Sequence, residues 1–485
     1  MKHRSLLIYW ICLPFVFSGC LPSDSHEKVF QSIDREVKAH FSAYQNLQEI
    51  VRQIGPRMTG SENGRRAEQF AYDLFKRYGY DDAVFDEFKI SAWERGDISL
   101  EVAAAPGEAP KKIKAASFAY SPEEAFAAGK IADLENGTRE DFDHAGDLKD
   151  KVVLISLGVA DPNKKNLRGI EKIELSAKKG AKAVIFFPTK KKDMLITGSV
   201  SRDREVIAVP VLCVTNDDAA LLKEKIKTGR VLTARIEMHN RAKKTTARNI
   251  TAALEGSRRP NERILLTAHL DSWDLATGAI DNGTGAFTVL EIARAFKALG
   301  IKPKRTIQFV LFMGEEQGMV GSRAFVEHLK EKNKLDEIKY LVNLDMEGDP
   351  LGFNAMGRKG AEDFIKKNGE WIRRLDGDFQ NNVKDVVGIN GDQETFLLEG
   401  IPAIAVNGAF DESIYFYFHS DKDQLEFVNQ KALLNNSRFV AMMVSALAEA
   451  DRLPAGKLDE NGTKEFLLHA GLKEELAARG HWKWN

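Results

Sequence analysis

The sequence predicts an α/β fold, with a mostly parallel twisted sheet, helices on both of its faces and an inserted β-rich unit. In the second half of the chain, short apolar strands alternate with helical stretches, as in parallel sheets that are covered on both sides. Residues 115–238 instead contain short β-like runs between glycines and charged loops, with few helices. At 485 residues, the chain is also too long for one compact core.

Individual elements follow from the apolar spacing. The expected strands of the main unit are 264–268, 306–312, 340–344 and 401–406, and its expected helices include 285–299 and 322–331. Helical spacing also covers much of residues 27–79, and alternation at 86–105 indicates strands. The polar residues 239–247 are expected to form a linker.

These patterns divide the chain into five expected segments. They are a targeting segment at 1–20, the first part of the main unit at 27–114, an inserted unit at 115–238, the second part of the main unit at 245–453, and a peripheral charged tail at 454–485.

The amino terminus is typical of an exported protein. Basic residues precede an apolar run at 6–17, which is shorter than the ~20 residues that a membrane-spanning helix needs. The run ends at Ser18-Gly19-Cys20 and resembles a bacterial lipoprotein signal, in which Cys20 carries a lipid. We therefore expect a lipid-anchored protein of the cell envelope that contacts the membrane only through this lipid. The alternative is a plain cleaved signal peptide and a periplasmic or secreted protein.

The composition argues against a nucleic-acid partner and against a disulfide scaffold. The 70 Lys and Arg residues balance the 71 Asp and Glu residues, so nucleic acid is not an expected partner. Three cysteines are too few for a disulfide scaffold in an exported chain. The sequence leaves the oligomeric state open.

Potential metal ligands are concentrated in the second half of the chain. Most of them follow an apolar strand directly, and the carboxyl ends of parallel strands meet at one edge of a sheet. Mixed imidazole and carboxylate ligation suits zinc, with manganese or cobalt as possible substitutes. The five candidate ligands are His269, Asp281, Glu316, Asp345 and His419.

Two further carboxylates stand beside these ligands. Asp271, two residues after His269, is placed to accept the second ring N–H of that imidazole. Glu315 directly precedes Glu316, and a cation would offset the repulsion between the two acids and leave Glu315 as a base. Each residue alone has a simpler interpretation: Asp281 suits a helix N-cap, for instance. The five together favour a metal site.

A family resemblance becomes specific at these motifs. Segments 267–271, 278–283, 314–318, 343–345 and 419–423 resemble the motif set of the co-catalytic zinc aminopeptidase and glutamate carboxypeptidase superfamily, and 269–274 is most similar to its carboxypeptidase Q branch. Residues 115–238 resemble the protease-associated domain that members often carry as an insertion. The resemblance covers about residues 27–453.

The resemblance implies a zinc exopeptidase fold and a peptide substrate. Asp281 would bridge two zinc ions, His269 and Asp345 would complete one site, and Glu316 and His419 would complete the other. The peptide bond after Asp281 would be cis. The zinc ions would activate a shared water as the nucleophile, with Glu315 as its general base.

The resemblance does not fix the substrate preference or the type of activity. Phe418 stands where the branch often has His, and Gln424 replaces a small hydroxyl residue, which leaves substrate preference undecided. Aminopeptidase and carboxypeptidase or dipeptidase action are both compatible with the motifs. Alternatives on the same scaffold are a non-catalytic receptor-like homologue and a glutaminyl cyclase.

Overall fold

A computed structural model describes residues 23–484 except 105–107, 160, 162, 190–192 and 412–416. The expected targeting segment and Cys20 lie outside the described residues. Among the residues that are described, no helix combines the length and apolar character needed to cross a bilayer.

The described chain forms two sheets with helices packed around them. The strands are β1 (Val84–Glu94), β2 (Ile98–Ala104), β3 (Lys111–Ile113), β4 (Ala115–Ser117), β5 (Glu124–Asp133), β6 (Lys151–Ser156), β7 (Ala183–Phe187), β8 (Val211–Val214), β9 (Leu232–His239), β10 (Arg241–Leu254), β11 (Arg259–His269), β12 (Arg305–Phe312), β13 (Ile338–Leu344), β14 (Asp349–Asn354), β15 (Asn382–Lys384) and β16 (Ala403–Ala409). The helices are α1 (Ser23–His40), α2 (Ala43–Gln53), α3 (Glu62–Arg77), α4 (Arg139–His144), α5 (Gly169–Lys178), α6 (Asn216–Lys227), α7 (Thr284–Ala298), α8 (Val320–Glu331), α9 (Ala361–Leu375), α10 (Gln393–Leu397), α11 (Gln430–Glu449), α12 (Glu460–His469) and α13 (Lys473–Arg479).

The main sheet has the order β1-β10-β12-β11-β13-β16-β14-β15. Its central strands β12, β11, β13 and β16 are mutually parallel, and antiparallel strands flank them. Alternate residues of β11 enter different cores: Ile264 and Leu266 pack with α7 and α11, whereas Leu265 packs with α8, α10, α12 and α13. Helices therefore cover both faces, and the predicted fold class is confirmed.

The second sheet has the order β3-β2-β9-β5-β6-β7-β8-β4 and carries α4, α5 and α6. Its middle strands β6 and β7 are buried along nearly their whole length, as the continuous apolar runs in the sequence predict. This inserted unit packs beside the main sheet.

Two sequence-based expectations differ from the structure here. Strands β2 and β3, placed before residue 115 in the expected division, pair within the second sheet, because β2 runs antiparallel to β9 from the far end of the insertion. Residues 239–247 do not form a linker, since 241–254 are strand β10 and pair with β1 along its whole length. The first half of β10 is largely exposed, so it lacks the apolar alternation that identifies a strand.

The tail at 454–485 is not peripheral, contrary to expectation. Leu467 of α12 and Leu476 of α13 are both fully buried, in the same apolar core as Leu265 and Val310 of the main sheet. The segment carries too few apolar residues for this docking to show in its composition. It covers one face of the main sheet.

Adjacent leucines of α12 test this docking. Leu467 is fully buried and Leu468 is 42% exposed. Replacing Leu467 with Ala leaves a cavity in the core and should lower the free energy of unfolding by about 2–5 kcal/mol. Leu468→Ala is the matched control and should change it by less than about 0.5 kcal/mol. Denaturant unfolding compares the two, and equal effects would contradict docking of the tail.

Candidate metal centre

The five predicted ligands meet at the carboxyl edge of the main sheet. On one side, His269 Nε2 lies 3.3 Å from Asp281 Oδ1 and 3.4 Å from Asp345 Oδ1. On the other, His419 Nε2 lies 3.4 Å from Asp281 Oδ2 and 3.0 Å from Glu316 Oε2. Each oxygen of the Asp281 carboxylate therefore faces one histidine, and each histidine also faces one further carboxylate.

Strand ends position most of these side chains. His269 is the last residue of β11, Asp345 directly follows β13, and Glu316 lies in the turn after β12. Asp281 lies in the connection from β11 to α7, in a short π-helical turn at Ala279–Gly283. His419 comes from a longer connection after β16 and has a positive φ of 53°. Parallel strands thus bring distant residues to one edge.

The charge of the centre fits divalent cations. Burial, together with repulsion from Asp281, raises the pKa of Glu316 to about 8. Burial and the nearby Asp345 likewise raise the pKa of Glu347 to about 8. Several buried acids thus lack sufficient positive charge around them. His269 Nε2, Asp281 Oδ2 and Glu316 Oε1 are also buried without a hydrogen-bond partner among the described residues, so these donor atoms are available to metal.

Asp271 contacts His269 through a different atom from the one that the sequence predicted. The ring Nδ1 of His269 lies 3.2 Å from the main-chain oxygen of Asp271 and 3.6 Å from its carboxylate. The main-chain oxygen is therefore the hydrogen-bond acceptor, and the carboxylate is beyond that range. The carboxylate instead accepts the main-chain N–H of Glu315 at 3.3 Å. Asp271 thus connects the His269 strand end to the Glu315 turn.

Glu315 is next to the centre but is not one of the converging ligands. Its side chain lines the same cleft of about 620 Å³ as Asp281, Glu316 and Asp345. Burial raises its pKa well above the ordinary range, and the neighbouring carboxylates add to the shift. The side chain is placed where it can exchange a proton with a molecule in the cleft.

A buried arginine shapes the loop that carries Asp281. The guanidinium of Arg57 is fully buried and donates to the carbonyls of Leu270, Thr277 and Gly278 at 2.5, 2.7 and 2.8 Å. These carbonyls lie at both ends of the loop between β11 and the π-helical turn. The sequence gives no local signal for this role of Arg57, because the loop that it contacts is more than 200 residues away.

Asp423 and Asn282 hold Asp281 itself. The carboxylate of Asp423 accepts the main-chain N–H groups of Ile280 and Asp281 at 2.7 and 3.0 Å. The Asp281–Asn282 peptide bond is cis, as the family resemblance implies. The side chain of Asn282 donates to the carbonyl of Leu344 at 2.8 Å and so ties the turn to the end of β13.

The inserted unit holds the segment that carries His419. The main-chain N–H of Thr197 donates to the carbonyl of His419 at 2.8 Å, and the N–H of Asp421 donates to the carbonyl of Leu195 at 3.0 Å. The Asp421 carboxylate in turn accepts the N–H of Leu195 at 3.1 Å. The inserted unit therefore contributes to the geometry of the centre. Part of the aromatic run before His419, residues 415–416, lies outside the described residues.

Comparisons with known proteins identify the two units. Residues 249–444 match the profile of Peptidase family M28, and residues 115–222 match that of the PA domain. The chain is 27% identical to carboxypeptidase Q of Mus musculus over 426 residues, which are 85% of this chain and 86% of the relative. It is 25% identical to probable leucine aminopeptidase 2 of Aspergillus fumigatus, over 82% of this chain and 80% of the relative.

A solved structure supports the fold. A Peptidase M28 precursor from Shewanella amazonensis superposes with a TM-score of 0.76 and 23% identity, over 90% of this chain and 99% of the other. At this identity, the likeness shows the common fold of the two chains.

Asp423 offers a test of the loop around Asp281. Asp423→Ala removes the acceptor for two main-chain N–H groups and should weaken zinc binding by about 10- to 100-fold, since groups that orient metal ligands have effects of this size. Competition with a chromophoric chelator measures the affinity. Glu426→Ala, a change to an exposed acid three residues away, is the control and should leave the affinity unchanged. Equal zinc affinity of the Asp423 variant and the unmodified protein would contradict the positioning role.

Proposed function

The chain belongs to peptidase family M28 and carries a PA domain, and from this premise we propose that it is an exported exopeptidase that uses two zinc ions. The observation that carries the proposal is the Asp281 carboxylate, whose two oxygens face His269 and His419 separately, at 3.3 and 3.4 Å. A single ion needs only one such oxygen. Two histidine and carboxylate pairs around one bridging aspartate suit a pair of ions.

The ligands divide into two sets under this proposal. His269 and Asp345 would hold one zinc ion, Glu316 and His419 would hold the other, and Asp281 would be shared by the two sets. When bound, zinc acidifies a coordinated water and polarises the carbonyl of the scissile peptide bond.

The remaining chemistry belongs to the side chains. Glu315 lines the cleft beside the ligands and accepts the proton of the attacking water, then delivers it to the departing amine. Asp271 would position the groups that take part in this step. Its carboxylate accepts the main-chain N–H of Glu315 at 3.3 Å, and its main-chain oxygen faces the His269 ring at 3.2 Å. Asp271 is therefore a positioning residue in the proposal.

We also propose where the inserted unit begins and ends. The pairing of β2 and β3 with the second sheet supports an inserted unit that begins near residue 98 and ends near 239. Export through the amino-terminal segment, and lipidation of Cys20, are supported by the sequence pattern.

Product masses test the function directly. The zinc-loaded protein is incubated with a defined pentapeptide and with dipeptides, and the products are followed by mass spectrometry over time. We expect stepwise loss of residues from one end or hydrolysis of dipeptides, with a mass gain of one water for each cleavage. Absence of any cleavage would contradict the peptidase proposal.

Glu315→Gln tests the proposed base. The amide keeps the size of the side chain and cannot accept the proton, so kcat should fall by at least about 100-fold. Zinc content should stay unchanged, because Glu315 is not a ligand. Glu327→Gln makes the same change at an exposed position of α8 and should keep full activity. A Glu315 variant with ordinary turnover would remove this residue from the mechanism.

A further inference from the structure

The chain passes from the main sheet into the inserted unit between β1 and β2, and it returns between β9 and β10. The two connections, residues 95–97 and 240, lie against each other and are called the junction below. The main-chain N–H of Gly96 donates to the side-chain oxygen of Asn240 at 3.2 Å. A Cβ atom on Gly96 would lie 1.6 Å from the carbonyl oxygen of His239, so the close approach of the two connections requires glycine here. The two segments are therefore packed tightly where the units meet.

Arg95 of the junction binds one residue of each unit. Its Nε and Nη2 atoms donate to the two carboxylate oxygens of Asp274, at 2.9 and 2.8 Å. Nη2 also donates to Thr197 Oγ1 of the inserted unit at 2.8 Å. The side chains of Arg95 and Asp274 are 11% and 23% exposed, so this two-bond pair is largely shielded from water and is of the strong, oriented kind. Arg95 thus joins the loop at 270–278 of the main unit to the inserted unit.

The partners of Arg95 lie beside the groups that contact His419. Thr197 is 2% exposed, and its main-chain N–H donates to the carbonyl of His419 at 2.8 Å. Trp273, directly before Asp274, is buried and meets the His419 ring edge to face, with the ring centres 5.8 Å apart and the planes at 74°. Arg95 therefore holds a neighbour of the His419 main chain and a neighbour of its ring.

His269 depends less on this contact than His419 does. It is the last residue of β11, and Arg57 separately holds both ends of the loop that follows. His419 comes instead from the connection after β16, and both of the contacts described above reach it through partners of Arg95. A change at Arg95 is therefore expected to displace His419 more than His269.

We propose that Arg95 is a positioning residue for the metal centre: it holds the His419 ring in place and makes the site of His419 and Glu316 depend on the placement of the inserted unit. The inference rests on the proposed function, because the position of the ring affects catalysis only where His419 binds an ion. Loss of the groups that orient a ligand weakens metal binding by about 10- to 100-fold. Removing Arg95 should therefore weaken one of the two zinc sites and spare the other.

Zinc titration against a chromophoric chelator tests the proposal. Arg95→Ala should lower the affinity of one binding step by about 10- to 100-fold and leave the other step unchanged. Arg95→Lys keeps the charge without the two-bond geometry and should restore part of the affinity. Arg263→Ala is the matched control, because Arg263 is a partly buried arginine in the first half of β11 that pairs with Glu337 at 2.9 Å, and it should change neither step. Equal weakening of both steps by Arg95→Ala would indicate a general structural role and overturn the proposal.

A combined variant shows whether Arg95 acts through His419. His419→Ala removes the ligand and should eliminate the affected step. Because the two residues would belong to one interaction, adding Arg95→Ala to His419→Ala should cause no further loss of zinc affinity, and a further loss of about 10-fold would contradict the coupling. Thr197→Val covers the case in which Arg95→Ala does not fold, since it removes only the hydroxyl that accepts from Arg95. It should weaken the same step by a smaller factor, and an unchanged affinity would count against the proposal.

Hydrogen exchange separates this proposal from the proposed function, because it needs neither zinc nor substrate. The main-chain N–H of Thr197 donates to His419 and is buried, so its exchange rate measures how firmly the two segments are held together. In the metal-free protein, Arg95→Ala should raise the exchange rate of this N–H by at least about 10-fold relative to Arg263→Ala. Such a rise supports the positioning role even where the protein binds one zinc ion or cleaves no peptide. Equal rates in the two variants contradict it even where peptides are cleaved.

Discussion

The buried carboxylate of Asp281 is the constraint on which the rest of the site depends. An uncompensated buried carboxylate is costly, and here it lies among other acids. Only two histidines, one for each oxygen, directly face it among the five converging ligands. The surroundings hold this arrangement in place: Asp423 binds the main chain of Asp281, and Arg57 binds the loop that precedes it. Divalent cations would supply the missing positive charge.

The convergence of the five candidate ligands could be expected from the sequence, because most of them are tied to the sheet. His269, Glu316 and Asp345 each stand at or just after the end of an apolar strand, and parallel strands end at the same edge. The prediction needed only the strands and their direction. His419 follows no strand directly, although it was predicted as one of the five ligands. The structure brings its ring to 3.0 Å from the carboxylate of Glu316.

Contacts and burial that the order of residues does not reveal account for what the sequence did not predict. The tail was expected to be peripheral, yet Leu476 is buried and Arg479 lines the cleft. This docking could not be predicted, because it depends on a partner surface that is distant in the chain. Strand β10 has an exposed first half and so lacks alternation. For Asp271, residue spacing indicated contact with His269 but could not distinguish its carboxylate from its main-chain oxygen. In each case the missing information was three-dimensional.

The inserted unit and the tail also contribute to the site at the edge of the main sheet. The sheet brings most of the candidate ligands together, and the inserted unit holds the segment that carries His419. The inserted unit and the tail both contribute arginines to the cleft. The central claim is that two ions share Asp281. Anomalous diffraction at the zinc edge from zinc-loaded crystals tests it most directly. The account predicts two peaks roughly 3.5–4 Å apart, one beside each oxygen of Asp281. A single peak, or peaks that do not contact Asp281, would contradict it.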